Sequence, residues 1–144
     1  MKKLFKILSV VLIIFLFSGC KRNIEKISYT DFYEYFSNKN EYDIVDTTGN
    51  YDITVRRFLE AGEGNFQIYY IEFDNKKSAD KFLNEIYVKD KNNKVKNYKN
   101  YTYITSNKKT YLRLYKKDNV IVFGQTKNKK YKRQMKKVLR DLGY

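Results

Sequence analysis

Nine residues, NFQIYYIEF at positions 65–73, constrain this chain more than any other stretch. In an extended segment Phe66, Ile68 and Tyr70 fall on one side, and Gln67, Tyr69, Ile71 and Phe73 on the other. Both sides are largely apolar, which predicts a central strand. Residues 42–48 alternate and run into a turn-like GNYD at 49–52. Residues 53–59 are strand-like and are broken by EAGEG at 60–64. Three more strand candidates follow at 101–105, 110–116 and 120–126, joined by the hairpin sequences SNKK and KDN.

Helical signals flank these segments. Ser28 with Asp31 fits a capping box, and Ile27 with Phe32 fits the accompanying hydrophobic staple, so a short helix is expected over 29–38. Asp74 or Asn75 can cap a second helix, in which Ala79, Phe82, Leu83 and Ile86 form one stripe. A third helix is expected over 128–142, with Tyr131, Met135, Val138, Leu139 and Leu142 facing the core and Gly143 at its stop. Residues 89–99, KDKNNKVKNYK, read as a polar loop. The order α, β, β, β, α, β, β, β, α with late hairpins predicts an α+β fold. Its mostly antiparallel sheet would carry about three helices packed on one face, after an N-terminal signal helix.

With 144 residues there is enough chain for one domain with a real core. Histidine is absent and Cys20 is the one cysteine. Those absences exclude Ser-His and Cys-His nucleophiles, internal disulfides and thiolate zinc clusters. The remaining catalytic candidates are carboxylates. Asp43 and Asp46 differ by an odd number and would point to opposite faces of a strand. Glu60 and Glu63 sit beside Gly62 and Gly64, where two carboxylates could converge as in glycosidases. The stretch DTTGNYD at 46–52 lacks the ligand spacing of an EF-hand. No metal or cofactor is expected, and an enzyme is not the favoured reading.

The N-terminus reads as an address. Lys2, Lys3 and Lys6 precede eleven residues, 7–17, that are apolar apart from Ser9; Ser18, Gly19 and Cys20 follow. A basic head, a short apolar run and small residues are the parts of a secretory signal peptide; an uncleaved anchor is the alternative, disfavoured because a span usually needs about 18 or more apolar residues. The stretch FSGC at 17–20 resembles the lipobox of bacterial lipoprotein precursors, with Phe17 where leucine is usual. The resemblance implies cleavage between Gly19 and Cys20 and a diacylglyceryl group, with palmitate-type acyl chains, on the Cys20 thiol. The domain organisation expected is a signal peptide at 1–19, the lipidated cysteine and a polar tether at 20–27, and a single α+β domain at 28–144. The protein would sit lipid-anchored on the extracytoplasmic face of the cell membrane. The Asp118-Asn119 turn and the closing Leu142-Gly143-Tyr144 are similar to those of small uncharacterised lipoproteins of Gram-positive bacteria.

Charge is divided along the chain. Residues 21–74 carry 6 basic and 11 acidic side chains, whereas 75–144 carry 21 basic and 5 acidic. The basic half suggests a surface for an anionic partner, with Lys127, Lys129, Lys130, Lys132, Arg133, Lys136 and Lys137 as its candidate residues. That partner would be an anionic lipid, a wall polymer or another envelope protein. The alternative is a solvated helix face. The tyrosine-rich run NYKNYTYIT at 97–105 could stack on bases or sugars, but strand packing explains it as well, and export argues against nucleic acid. The function expected is a membrane-anchored, non-catalytic binding or interaction module. A carboxylate-based cell-wall glycan hydrolase and an immunity-type lipoprotein that binds a toxin are the alternatives.

Overall fold

The computed structural model describes residues 23–50 and 54–144. Cys20, Gly19 and the expected signal helix lie outside them. The described chain is α+β. Seven strands form one antiparallel sheet: β1 (Asp43–Asp46), β2 (Val55–Gly62), β3 (Gln67–Phe73), β4 (Lys94–Asn97), β5 (Thr102–Asn107), β6 (Tyr111–Lys117) and β7 (Val120–Thr126). Three α-helices accompany it: α1 (Tyr29–Ser37), α2 (Lys76–Leu83) and α3 (Lys132–Asp141). The strand order is β1-β2-β3-β7-β6-β5-β4. The NFQIYYIEF strand is therefore interior, as its two apolar sides require.

Those two sides also decide the layering. Leu59, Ala61, Ile68, Tyr70, Val120 and Val122 form a front face with Phe32 and Phe36 of α1 and Met135, Val138 and Leu139 of α3. Phe58, Tyr69, Ile71, Phe73, Ile121 and Phe123 form a back face with Ala79 and Leu83 of α2. The expectation of helices on one face is thus corrected: α1 and α3 cover the front and α2 covers the back. The physical reason is that β3, β6 and β7 are apolar on both sides, so each face needs a lid. Fully burying each such side chain contributes roughly 1.5–3 kcal/mol.

The helix boundaries follow local chemistry. Ser28 caps α1, its Oγ accepting from the Asp31 N–H at 3.1 Å. Asn75, not Asp74, caps α2 through the Ser78 N–H at 2.9 Å. Gly143 closes α3 at φ 93°. Its N–H bonds to the Arg140 carbonyl and the Tyr144 N–H to the Leu139 carbonyl, a Schellman motif that turns Tyr144 back onto the core.

Three stretches differ from expectation, the first being EAGEG, which does not break the strand at 60 because β2 stays paired with β3 through Gly62. Residues 89–99 are not wholly loop: 94–97 form β4, with Val95 packed against the back-face core while its lysine neighbours stay in solvent. One apolar residue per strand is too weak a signal to read locally. After α2 the helix widens into a π turn, Asn84–Val88, closed by the Lys89 N–H on the Asn84 carbonyl. The extra residue per turn rotates Tyr87 inward and leaves Ile86, expected on the core stripe, 55% exposed.

The sheet has two functionally distinct ends. At one, here the near end, lie the β6–β7 turn at Asp118-Asn119 and residues 23–27. These five residues fall in the expected tether, and they are docked. Ile24 is fully buried in the front core, its carbonyl accepts from Lys117 Nζ, and Asn23 pairs with Asn100. At the far end lie the β2–β3 turn, the β5–β6 turn and the start of α3.

Candidate functional site

Because β1–β3 form one side of the sheet and β4–β7 the other, the division of charge along the sequence becomes a division in space. Strands β4 to β7 carry no acidic residue, and between Asp90 and Asp141 the one carboxylate is Asp118, in the near-end turn. The basic side chains of these strands have no counter-charge on the strands themselves, although Asp90 shares a cleft with Lys108 and Lys109, and Asp43 and Glu63 lie by the far end of β2.

The front face of this half is the candidate site. The cross-strand register reads Lys94, Thr105, Arg113 and Gly124 in one row, and Lys96, Tyr103, Tyr115 and Val122 in the next. Helix α3 lies over β7. Gly124 permits its close approach, because a Cβ there would stand 2.9 Å from Met135 Cγ. Beside it, Tyr111 and Tyr115 of β6 are buried while Arg113 and, on β5, Tyr103 and Thr105 are half-buried, and Lys132 and Lys136, one turn apart, reach over Tyr111.

Both lysines gather on one ring. Lys132 Nζ lies 4.1 Å and Lys136 Nζ 5.5 Å from the centre of Tyr111, and Lys132 also donates to Asn107 Oδ1 at 3.0 Å. Arg113, two residues along the strand from Tyr111, stands 5.7 Å from the Tyr103 ring. Its Nε is buried and has no hydrogen-bond partner. Tyr103 in turn packs against Tyr115 at 4.9 Å. Burial pushes the Tyr103 hydroxyl up to about 12, so it remains a neutral donor across the ordinary pH range.

The predicted lysines are therefore not equivalent. Lys132 and Lys136 join the Arg113 cluster. Lys127, Lys129, Lys130, Arg133 and Lys137 are exposed around the far end, and Lys127 borders a cleft of about 260 Å³ with Asn65 and Gln125. Lys129 to Arg133 crowd the positive end of α3, which has no acidic residue in its first turn. The helix dipole opposes cations there, typically by 0.3–1 kcal/mol each, and reinforces their pull on an anion. On the back face, a cleft of about 520 Å³ lies between the π turn and the β5–β6 hairpin, bordered by Tyr87, Asn93, Lys108 and Lys109.

Arg113 was not evident from charge runs, since it is a single cation inside YLRLYKK. The signal that finds it is the strand period: Tyr111, Arg113 and Tyr115 share one face of an otherwise apolar strand. The tyrosine run at 97–105 divides. Tyr98 is half exposed and stacked on Tyr101 at 4.5 Å, whereas Tyr103 belongs to the cluster described above.

The carboxylates are distributed differently. Asp46 accepts from the Thr48 N–H at 2.9 Å and from its hydroxyl, and these bonds hold its carboxyl below the usual range. It is a turn cap. Asp43 pairs with Gly62 and Asp46 with Leu59, which places them on opposite faces. Glu60 is on the back face, while Glu63 lies past the strand end within electrostatic reach of Tyr42, a front-face residue. The structure does not bring these two glutamates together. Among the described residues no group of three or more acidic or cysteine side chains could hold a metal ion, and no helix is long and apolar enough to cross a membrane.

No family model matches this chain, and no curated protein matches it. Among solved structures it is similar to a protein described as a GTP binding regulator from Thermotoga maritima. The TM-score is 0.53 and the identity 10%, over 81% of this chain and 87% of that one. A likeness at that identity concerns the fold alone.

Proposed function

We propose that this protein is a lipid-anchored, extracytoplasmic binding module, with no chemistry of its own, that presents a basic end to an anionic partner. The anchor rests on the lipobox resemblance at Cys20. The observation that carries the binding role is the opposition of the two ends. Residues 23–27 dock at the near end, while the exposed Lys127, Lys129, Lys130 and Arg133 gather at the far end, where α3 begins. Cys20 stands three residues before Asn23, a reach of about 10 Å at most. An acylated Cys20 would hold the near end against the bilayer. The far end is separated from it by the length of β7, about 20 Å. It therefore favours a partner on the wall side over the headgroups of its own membrane.

The test has two readouts. Cys20→Ala should move the protein out of the membrane fraction; persistence there would remove the lipid anchor. The full chain in detergent should be retained on an immobilised polyanion and elute earlier as salt rises. Passage through the matrix at low salt would remove the binding role.

A further inference from the structure

We propose that Arg113, Lys132 and Lys136, arranged about Tyr111 and Tyr103, form the subsite that grips a phosphate-type oxyanion group of a linear polyanion. This inference deepens the binding role above and rests on it.

Lys132 and Lys136 meet over the Tyr111 ring and Arg113, two residues further along β6, stands over the Tyr103 ring; among the described residues none of the three has an ion pair. Like charges so placed repel, and a folded surface gains by supplying them with an anion. Cation–π contacts offset part of that repulsion, about 0.5–1 kcal/mol each at exposed sites. The guanidinium also hydrogen-bonds the Tyr111 side chain, and its Nε is left out of that bond. The Arg113 Nε–H is buried without an acceptor, which is costly unless an acceptor arrives. A guanidinium fork flanked by two ammonium groups suits a tetrahedral oxyanion better than a single carboxylate. The Tyr103 hydroxyl, neutral at ordinary pH like any tyrosine, can contribute a further donor.

A polymer fits better than a small free anion because the cations continue beyond the subsite. Lys94 lies in the same cross-strand row as Arg113, and Lys108, Lys109, Lys129 and Lys130 extend the field over the far end. The partly exposed strip from Arg113 across Thr105 to Lys94 is a track, flanked by α3 on one side and the short β4 edge on the other. Repeating charges along a chain would occupy it in register.

The experiment titrates the full chain in detergent with inorganic polyphosphate, at two salt concentrations, against inorganic phosphate as the small-anion control. Arg113→Gln and the pair Lys132→Gln with Lys136→Gln should each weaken polyphosphate binding about tenfold or more. The exposed pair Lys129→Gln with Lys130→Gln loses as much charge as the second variant and should weaken it less than about threefold. Arg113→Lys keeps the charge and lacks the fork; it should bind more weakly than wild type while melting at nearly the same temperature, which separates recognition from folding. Equal losses for both lysine pairs would overturn the subsite and leave diffuse electrostatic binding standing. Wild-type protein that ignores polyphosphate would remove both. Inorganic phosphate binding as tightly as the polymer, or anionic vesicles displacing polyphosphate from this site, would overturn the choice of ligand.

Discussion

The Tyr144 hydroxyl accepts a hydrogen bond from the Ile27 backbone N–H at 3.3 Å, joining residues 117 positions apart. Tyr144 is 2% exposed and its ring packs on Tyr115 at 5.3 Å. The Schellman motif at Gly143 aims it there. This contact, with Lys117 on the Ile24 carbonyl, is what keeps residues 23–27 on the domain.

Tyr144→Phe should therefore cost about 1 kcal/mol, the typical net value of one hydrogen bond. Tyr144→Ala should cost about 3–5 kcal/mol by opening a cavity. Limited proteolysis should then cut near residues 23–27 in the alanine variant and spare them in the wild type. Equal resistance in both would mean that Ile24 and the Lys117, Lys26 and Asn23 contacts hold the segment without Tyr144.

Gly124→Ala should destabilise the domain by about 1–3 kcal/mol. The new Cβ would meet Ile68 Cδ1 at 2.8 Å and Met135 Cγ at 2.9 Å, forcing α3 off the sheet. The urea midpoint measures this. A second change, Met135→Ala, should recover part of the loss if the clash is the cause.

Lys116 and Asp80 pin α2 to the back face. Lys116 is 5% exposed and ion-paired to Asp80, so Asp80→Ala leaves a buried ammonium without its partner. Asp80 itself is half exposed, which lets water compensate. A loss of about 1–3 kcal/mol is expected, whereas Lys116→Met should be close to neutral. Thermal melts of the two variants give the comparison, and a larger loss for Lys116→Met would reverse the assignment.

Alkaline pH should unfold this protein cooperatively. Burial raises Tyr144 and Tyr87 to about 12, and burial with the nearby Asp141 does the same for Tyr35. Tyr42 and Tyr70 are also shifted upward by burial and by neighbouring glutamates. The folded state holds these protons more tightly than the unfolded chain, in which tyrosine titrates near 10. The stabilisation is complete below about pH 10 and is lost as pH rises through about 12. Tyrosinate absorbance and helical circular dichroism should change together in that window. Tyrosine ionisation that precedes unfolding, at its ordinary value, would contradict the burial described here.

Much of this architecture is legible locally. The NFQIYYIEF alternation announces an interior strand, Ser28 and Asn75 cap the helices they precede, and Gly143 ends α3 where its conformational freedom is needed. Six of the seven strands stand out by composition, because a buried strand must alternate or be apolar throughout. Strand β4 does not, because Val95 alone supplies its apolar anchor. Ile86 misleads because the π turn depends on packing around Tyr87 and not on residue spacing.

The chain's own order determined that acids gather before position 75 and bases after it, and that no histidine chemistry is available. Tertiary structure alone decided what that division means. Hydrogen-bonded pairing of β3 with β7 sets the two halves side by side, and the turn directions put the docked segment and the lysine cluster at opposite ends. Lys132 and Lys136 reach Tyr111, two residues from Arg113 on β6, because β6 lies next to β7 and α3 packs on Gly124. Register and face are long-range properties, set by which strands pair, and no local window contains them.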